Sequence, residues 1–154
     1  MNILIVDDDA NARKTLGKIL KAKGFEVDVE LVEVGALLHD LGRSKTHTIN
    51  HVVIGAEMAR MAGMPEEVLS IIKRHLGGGI TAEEAKEIGW PNDGYVPTTL
   101  EEKIVSYADK LIGSTERIPV ETTINKLLEE KHEVAAQRVK TLYDEMTKLI
   151  GDEP

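Results

Sequence analysis

Apolar and polar positions follow two different periods along the chain. Asn2-Ile3-Leu4-Ile5-Val6 is a short apolar, β-branched run that ends in Asp7-Asp8-Asp9, the pattern of a buried strand running into an acidic loop. Asp9 is placed to cap a helix over about Asn11–Lys23, with Leu16, Ile19 and Leu20 as its apolar stripe and Gly24 as its stop. Phe25–Val29 alternates like a second short strand. From Glu30 onward the period is helical. Leu31, Val34, Leu38 and Leu41 step by three and four, and Gly42 ends the run. A second helix of this kind spans Asn50–Ala62 with Gly63 as its stop, and Pro65 opens a third, on which Val68, Ile72 and His75 share a face. Gly77-Gly78-Gly79 breaks that helix. Thr81 with Glu84 spells a capping box for a short helix ending at Gly89. Trp90–Pro97 reads as a loop. Thr99 with Glu102 opens the next helix, whose face is Val105, Ala108, Asp109 and Ile112. Two closing helices are predicted over Val120–Glu130 and Glu133–Ile150, the last with Val139, Leu142, Met146 and Leu149 as its stripe. The expected fold is mostly all-α, a helical bundle preceded by a short βα unit. The lone opening strand must pair with Phe25–Val29 or with its own copy in a second subunit, which predicts a homodimer.

Composition narrows the chemistry. The 154 residues suit one domain, or one with an appendage. Nineteen basic against 27 acidic residues give a net charge of -8, which opposes a sequence-independent grip on a nucleic-acid backbone. A small phosphorylated substrate held by a local group of cations stays compatible with that charge. With no cysteine, disulfides and thiolate metal sites are excluded, so any metal is held by nitrogen and oxygen. Apolar runs are too short to cross a membrane, and the N-terminus lacks a signal-like pattern. These features predict a soluble cytoplasmic protein without membrane or nucleic-acid partners.

Polar residues on apolar helix faces carry the functional signal. His39 and Asp40 end a strongly apolar helix, His51 opens the next, His75 closes the one after, and Asp109 shares a face with Val105. Convergence of the five on one cation relieves the cost of burying them, because imidazoles and carboxylates coordinate it and its charge offsets theirs. Sulfur-free His/Asp ligation suits Fe, Mn or Zn. Taken singly, each residue has a plainer explanation. A lone histidine on an apolar face is ordinarily a core residue bonded to a carbonyl, and Asp109 has Lys110 or Lys103 at hand for an ion pair. His47 and His132 lie in polar surroundings and are expected at the surface.

Gly35-Ala36-Leu37-Leu38-His39-Asp40-Leu41-Gly42 resembles the signature of the HD superfamily of metal-dependent phosphohydrolases. His51-Val52-Val53-Ile54-Gly55-Ala56-Glu57 resembles its second histidine motif, Ile71–His75 its third, and Leu100–Lys110 its closing helix with Ala108-Asp109. The four motifs stand in family order, and the resemblance covers residues 28–154, most like small archaeal HD proteins. It implies a metal-dependent phosphohydrolase acting on a nucleotide or other phosphate ester. His39 and Asp40 would bind a first metal, Asp40 would bridge to a second on His51 and His75, and Asp109 would close the first site. One or two ions are implied. Asp40, Arg43 and Lys45 are the implied catalytic residues, with Arg43, Lys45 and the less favoured Lys110 holding substrate phosphate. For Arg43 and Lys45 the alternative is a solvated helix end, where cations are favoured anyway. The two extra histidines resemble those of two-metal members such as HD-type diadenosine tetraphosphate hydrolases and HD-GYP phosphodiesterases. The GYP motif is absent, which argues against cyclic-di-GMP.

The family's further ligating histidine on a first helix has no counterpart, since no histidine precedes His39. Counting back without gaps puts Ile5 at that place. Residues 1–27 instead resemble the first βα unit of a response-regulator receiver domain, which implies a chimera joined near Lys23–Asp28. The competing reading is a non-catalytic HD scaffold fused to a receiver-like dimerisation fragment.

Overall fold

The structure, a computed structural model, describes residues 3–91, 93–111 and 116–151, and the side chains from Arg13 onward. The chain opens as a helix, α1 (Ile3–Ala22), which takes in both the expected strand from Ile3 and the acidic run Asp7–Asp9. Phe25–Asp28 is a connector, so neither expected strand forms among the described residues. The reason is physical. A four-residue apolar run with no partner strand leaves its backbone groups unpaired, whereas a helix pairs them within the segment. The predicted βα unit is therefore corrected to a helix, and a homodimer through that strand loses its basis. Gly24 does end the first helix, with φ +94°.

Asp28 caps α2 (Val29–Leu38), its carboxylate accepting from the Leu31 amide at 3.0 Å. A 3-10 turn, Leu41–Ser44, leads to α3 (His51–Met61) and then α4 (Glu66–Arg74). Pro65 is the residue before α4, not its first. Thr81 completes its predicted capping box at α5 (Ala82–Glu87), and Thr99 with Glu102, expected to open the next helix, forms a second box at α6 (Leu100–Asp109). The loop between them returns Tyr95 to Ile80 in an isolated antiparallel bridge. The closing pair is α7 (Val120–Glu129) and α8 (Glu133–Ile150), as the spacing predicts. Ile112, expected on the α6 face, lies outside the described residues.

α2 is the central helix, packed on α1, α4 and α6. Its Val32 and Ala36 join Leu20, Ile71, Ile104, Val105, Val139, Leu142 and Met146 in the main core. A second cluster, with Ala56, Ala59, Val68, Leu69 and Ile72, joins α3 to α4. Two glycines set the approach that matters for the site. A Cβ on Gly42 would meet the His51 carbonyl oxygen at 1.9 Å, and one on Gly55 would meet the Gly42 amide nitrogen at 2.9 Å. Only bare backbone at both positions lets the turn after α2 lie against the start of α3.

Candidate metal centre

Each histidine of the cluster is aimed by the same local device. His39 Nδ1 donates to the Ala36 carbonyl at 2.7 Å, His51 Nδ1 to Thr48 at 2.8 Å and His75 Nδ1 to Ile72 at 2.8 Å. The acceptors lie three residues back, and those of His39 and His75 belong to the last helical turn, where carbonyls lack an intrahelical partner. Carbonyls only accept, so the proton sits on Nδ1 and the lone pair is left on Nε2. All three rings are buried.

The Nε2 atoms converge on Asp40. Asp40 Oδ1 lies 3.3 Å from His51 Nε2 and 3.4 Å from His75 Nε2, while Oδ2 lies 3.4 Å from His39 Nε2. His51 and His75 face each other at 3.3 Å, Nε2 to Nε2. Asp40 is free for this role because its side chain does not cap the turn that follows it. α6 completes the group by bringing Asp109 Oδ1 to 3.4 Å from His39 Nε2. α6 also pins the end of α4, since Ser106 Oγ and Lys110 Nζ donate to the His75 carbonyl at 3.1 and 2.7 Å. Arg74 of α4 holds the buried Glu102 of α6 at 2.9 Å.

Burial pushes the Asp40 carboxyl up, but the imidazoles of His51, His75 and His39 packed against it hold it well below the usual carboxylate range. Burial likewise pushes Asp109 up, and Lys110 and His39 overcome it in the same way. The His75 imidazole is driven down to about 4, chiefly by burial and against the pull of Asp40. The cluster is thus built to hold ionised carboxylates beside an uncharged His75.

The donor set fits a divalent cation. Donors gathered around one such ion sit roughly 3.0–3.4 Å from one another, close to the 3.3–3.4 Å separations between Asp40 and the three imidazoles. The ligand atoms of His39, Asp40 and His75 all lie within 4.8 Å of one another. Nitrogen lone pairs facing each other and a carboxylate are a repulsive arrangement until a cation sits among them.

The five residues expected to share one centre are therefore brought together from α2, α3, α4 and α6. The expected phosphate residues fare differently. Arg43 stands at the rim, its Nε 3.7 Å from Asp40 Oδ1 and its Nη1 on the His47 carbonyl at 2.8 Å. Lys45 is exposed at the end of the turn, with no contact to the cluster among the described residues. Lys110 is buried, its Nζ on Asp109 Oδ2 at 2.7 Å as well as on His75. His47 and His132 are exposed, as expected. One residue escaped the sequence reading. Arg13 of α1 is fully buried, with a guanidinium nitrogen 3.9 Å from Asp109 Oδ1. Its signal was a charge three residues before Leu16, in line with the apolar stripe.

The HD domain family matches residues 11–113, a span that takes in all five residues of the cluster. The chain belongs to the HD domain family. The match begins inside α1, within the stretch expected to be receiver-like. Among relatives of this HD domain, an uncharacterized protein of Methanocaldococcus jannaschii is 48% identical over 137 residues, 88% of this chain and 81% of that protein. The tRNA (cytidine(56)-2'-O)-methyltransferase of Thermoplasma volcanium is 39% identical over 132 residues, 86% of this chain but only 39% of that protein. Ribonuclease Y of Acidothermus cellulolyticus is 43% identical over 56 residues, 35% of this chain and 11% of the other. Among solved structures, the HD domain of the L. monocytogenes phosphodiesterase PgpH has a TM-score of 0.53 at 18% identity, covering 94% of this chain and 90% of that one. The same PgpH domain is known in complex with cyclic-di-AMP. That likeness shows a shared fold. No helix of the described residues is long and apolar enough to cross a membrane.

Proposed function

We propose that this HD domain is a metal-dependent phosphohydrolase acting on a nucleotide or a similar small phosphate ester. The observation that carries the reading is the convergence of three imidazole Nε2 atoms on Asp40 at 3.3–3.4 Å, with Asp109 beside them. His39, Asp40, His51, His75 and Asp109 would hold one or two divalent ions, with Fe, Mn and Zn suited to these ligands. Such an ion supplies positive charge for phosphoryl oxygens and makes water a stronger acid. Arg43, at the exposed rim beside Asp40, would meet a substrate phosphate, and Lys45, exposed two residues on, would add to that basic edge. Lys110 serves Asp109 and the His75 carbonyl, so its part is to position the cluster. The cyclic-di-AMP complex of PgpH supports a nucleotide phosphodiester as the substrate class. The relatives named for tRNA and RNA chemistry supply the competing substrate, against which the net charge of -8 argues.

The test is a panel of nucleotides, cyclic dinucleotides and short RNA, each with Mn, Fe, Co, Zn and Mg, beside an Asp40→Ala control. Metal-dependent release of phosphate or a nucleoside monophosphate, abolished by Asp40→Ala, is the expected result. Loss of all turnover in protein verified to hold metal would leave the non-catalytic scaffold. Arg13 beside Asp109, and the absence of any histidine before His39, are the observations that favour that second reading.

A further inference from the structure

The two carboxylates of the cluster have unlike surroundings. Asp109 meets one imidazole nitrogen, His39 Nε2 at 3.4 Å, and lies between two cations on opposite oxygens. A guanidinium nitrogen of Arg13 stands 3.9 Å from Oδ1, and Lys110 Nζ stands 2.7 Å from Oδ2. Arg13 has no exposure, and Lys110 very little. Asp40 faces imidazole nitrogens on its inner side at 3.3–3.4 Å, with Arg43 Nε at 3.7 Å toward solvent. A carboxylate aimed at lone pairs recruits a cation. A carboxylate already bracketed by an ammonium and a guanidinium has its charge offset, and a divalent ion brought to it would meet both positive groups at close range with little water between.

We infer that this chain holds a single divalent ion, among His39, Asp40, His51 and His75, and that the Arg13 guanidinium takes the place of a second cation beside Asp109. The inference rests on the metal-dependent reading above and sharpens it from one or two ions to one. It also gives α1 a part in the centre despite its lack of a histidine there. Arg13 acts through Asp109, and is a positioning residue.

The full-length protein is stripped with a chelator, reloaded with excess Mn(II), desalted, and assayed for bound metal by mass spectrometry and for Mn–Mn coupling by electron paramagnetic resonance. The wild type should retain a single equivalent with an uncoupled spectrum. Arg13→Met, which keeps the volume and removes the charge, should take up a second equivalent and show exchange coupling. Arg13→Gln is run beside it, and circular dichroism identifies which of the two variants is folded. A wild type with two coupled ions, or a folded variant that still holds one, overturns the single-ion inference and leaves the hydrolase reading intact. Retention of no ion by the wild type and by every folded variant overturns both.

Discussion

An imidazole that gives its Nδ1 proton to a carbonyl can present only Nε2 to a ligand, and this protein uses that restriction three times. His39, His51 and His75 each hold a carbonyl three residues back, so their rings are oriented before any metal arrives. Asp40 is the point on which all three converge. Loss of an outer partner of a metal ligand typically costs about 10–100-fold in affinity, so loss of the charge at the shared ligand should cost at least that. Asp40→Asn, nearly the same shape, is expected to weaken Mn(II) binding by about 100-fold or more while leaving the helical content unchanged. Titration calorimetry checks the first, and circular dichroism the second. Binding within a few-fold of wild type would show that Asp40 is not the shared ligand. The five cluster residues were legible in the sequence because each is a polar residue on an apolar face and each falls in an HD motif. Arg13 was not. A lone charge in a helix is ordinarily solvated, and only the packing of α1 against α2 and α6 shows that this one points inward.

At the scale of elements, the site depends on how closely its supports approach. The turn after α2 touches α3 through Gly42, where a methyl group would lie 1.9 Å from a backbone oxygen. No side chain can move aside there, so Gly42→Ala should cost at least about 3 kcal/mol, the upper end of ordinary overpacking. It should also part Asp40 from His51 and lower metal affinity. Gly24→Ala is the contrast. It meets nothing within 4 Å but must hold φ +94°, so it should cost about 1 kcal/mol and leave metal binding alone. Chemical denaturation and metal titration of both variants separate the two effects, and equal costs would contradict the packing argument. Farther out, Arg138 of α8 grips Glu84 of α5 at 2.7 and 2.9 Å, and that grip holds the Glu84 carboxyl below its ordinary range. A depressed carboxyl contributes stability that is present above its unfolded value and lost as pH falls through its folded one. The melting-temperature gap between wild type and Arg138→Met should therefore be widest near neutral pH and narrow below the ordinary glutamate range. The pair is partly exposed, so the gap at neutral pH should correspond to no more than about 1 kcal/mol. A gap unchanged by acid would assign it to packing of the arginine stem. Both capping boxes were legible from Thr and Glu three apart, since that signal is local. The opening helix was not, because four β-branched and apolar residues suit either a strand or a helix, and the bundle decides between them.

For the whole molecule, the question is whether α1 is a separable fragment or a part of the bundle that builds the metal centre. The packing argues for the second. Leu20 is fully buried in the main core with Val27, Val32, Met146 and Ile150, and Lys23 Nζ reaches the Ile150 carbonyl at 2.5 Å, so the first helix is tied to the last. A Cβ on Gly17 would sit 3.6 Å from both Val27 and Val29, ordinary contact that shows α1 resting directly on the start of α2. Without α1, one side of α2 and α6 would face water, and Asp109 would lose the buried cation on its Oδ1 side. The chain 28–154 is therefore expected to lose its cooperative thermal transition or to melt far below the full chain. Leu20→Ala, which removes one buried side chain, should cost about 2–5 kcal/mol. If α1 belongs to the same folding unit, the full chain should also melt in one transition, with far-UV ellipticity and tryptophan fluorescence from Trp90 changing together. A fragment 28–154 that melts where the full chain does would return α1 to the status of an appendage, and would remove the structural basis for placing Arg13 at the centre.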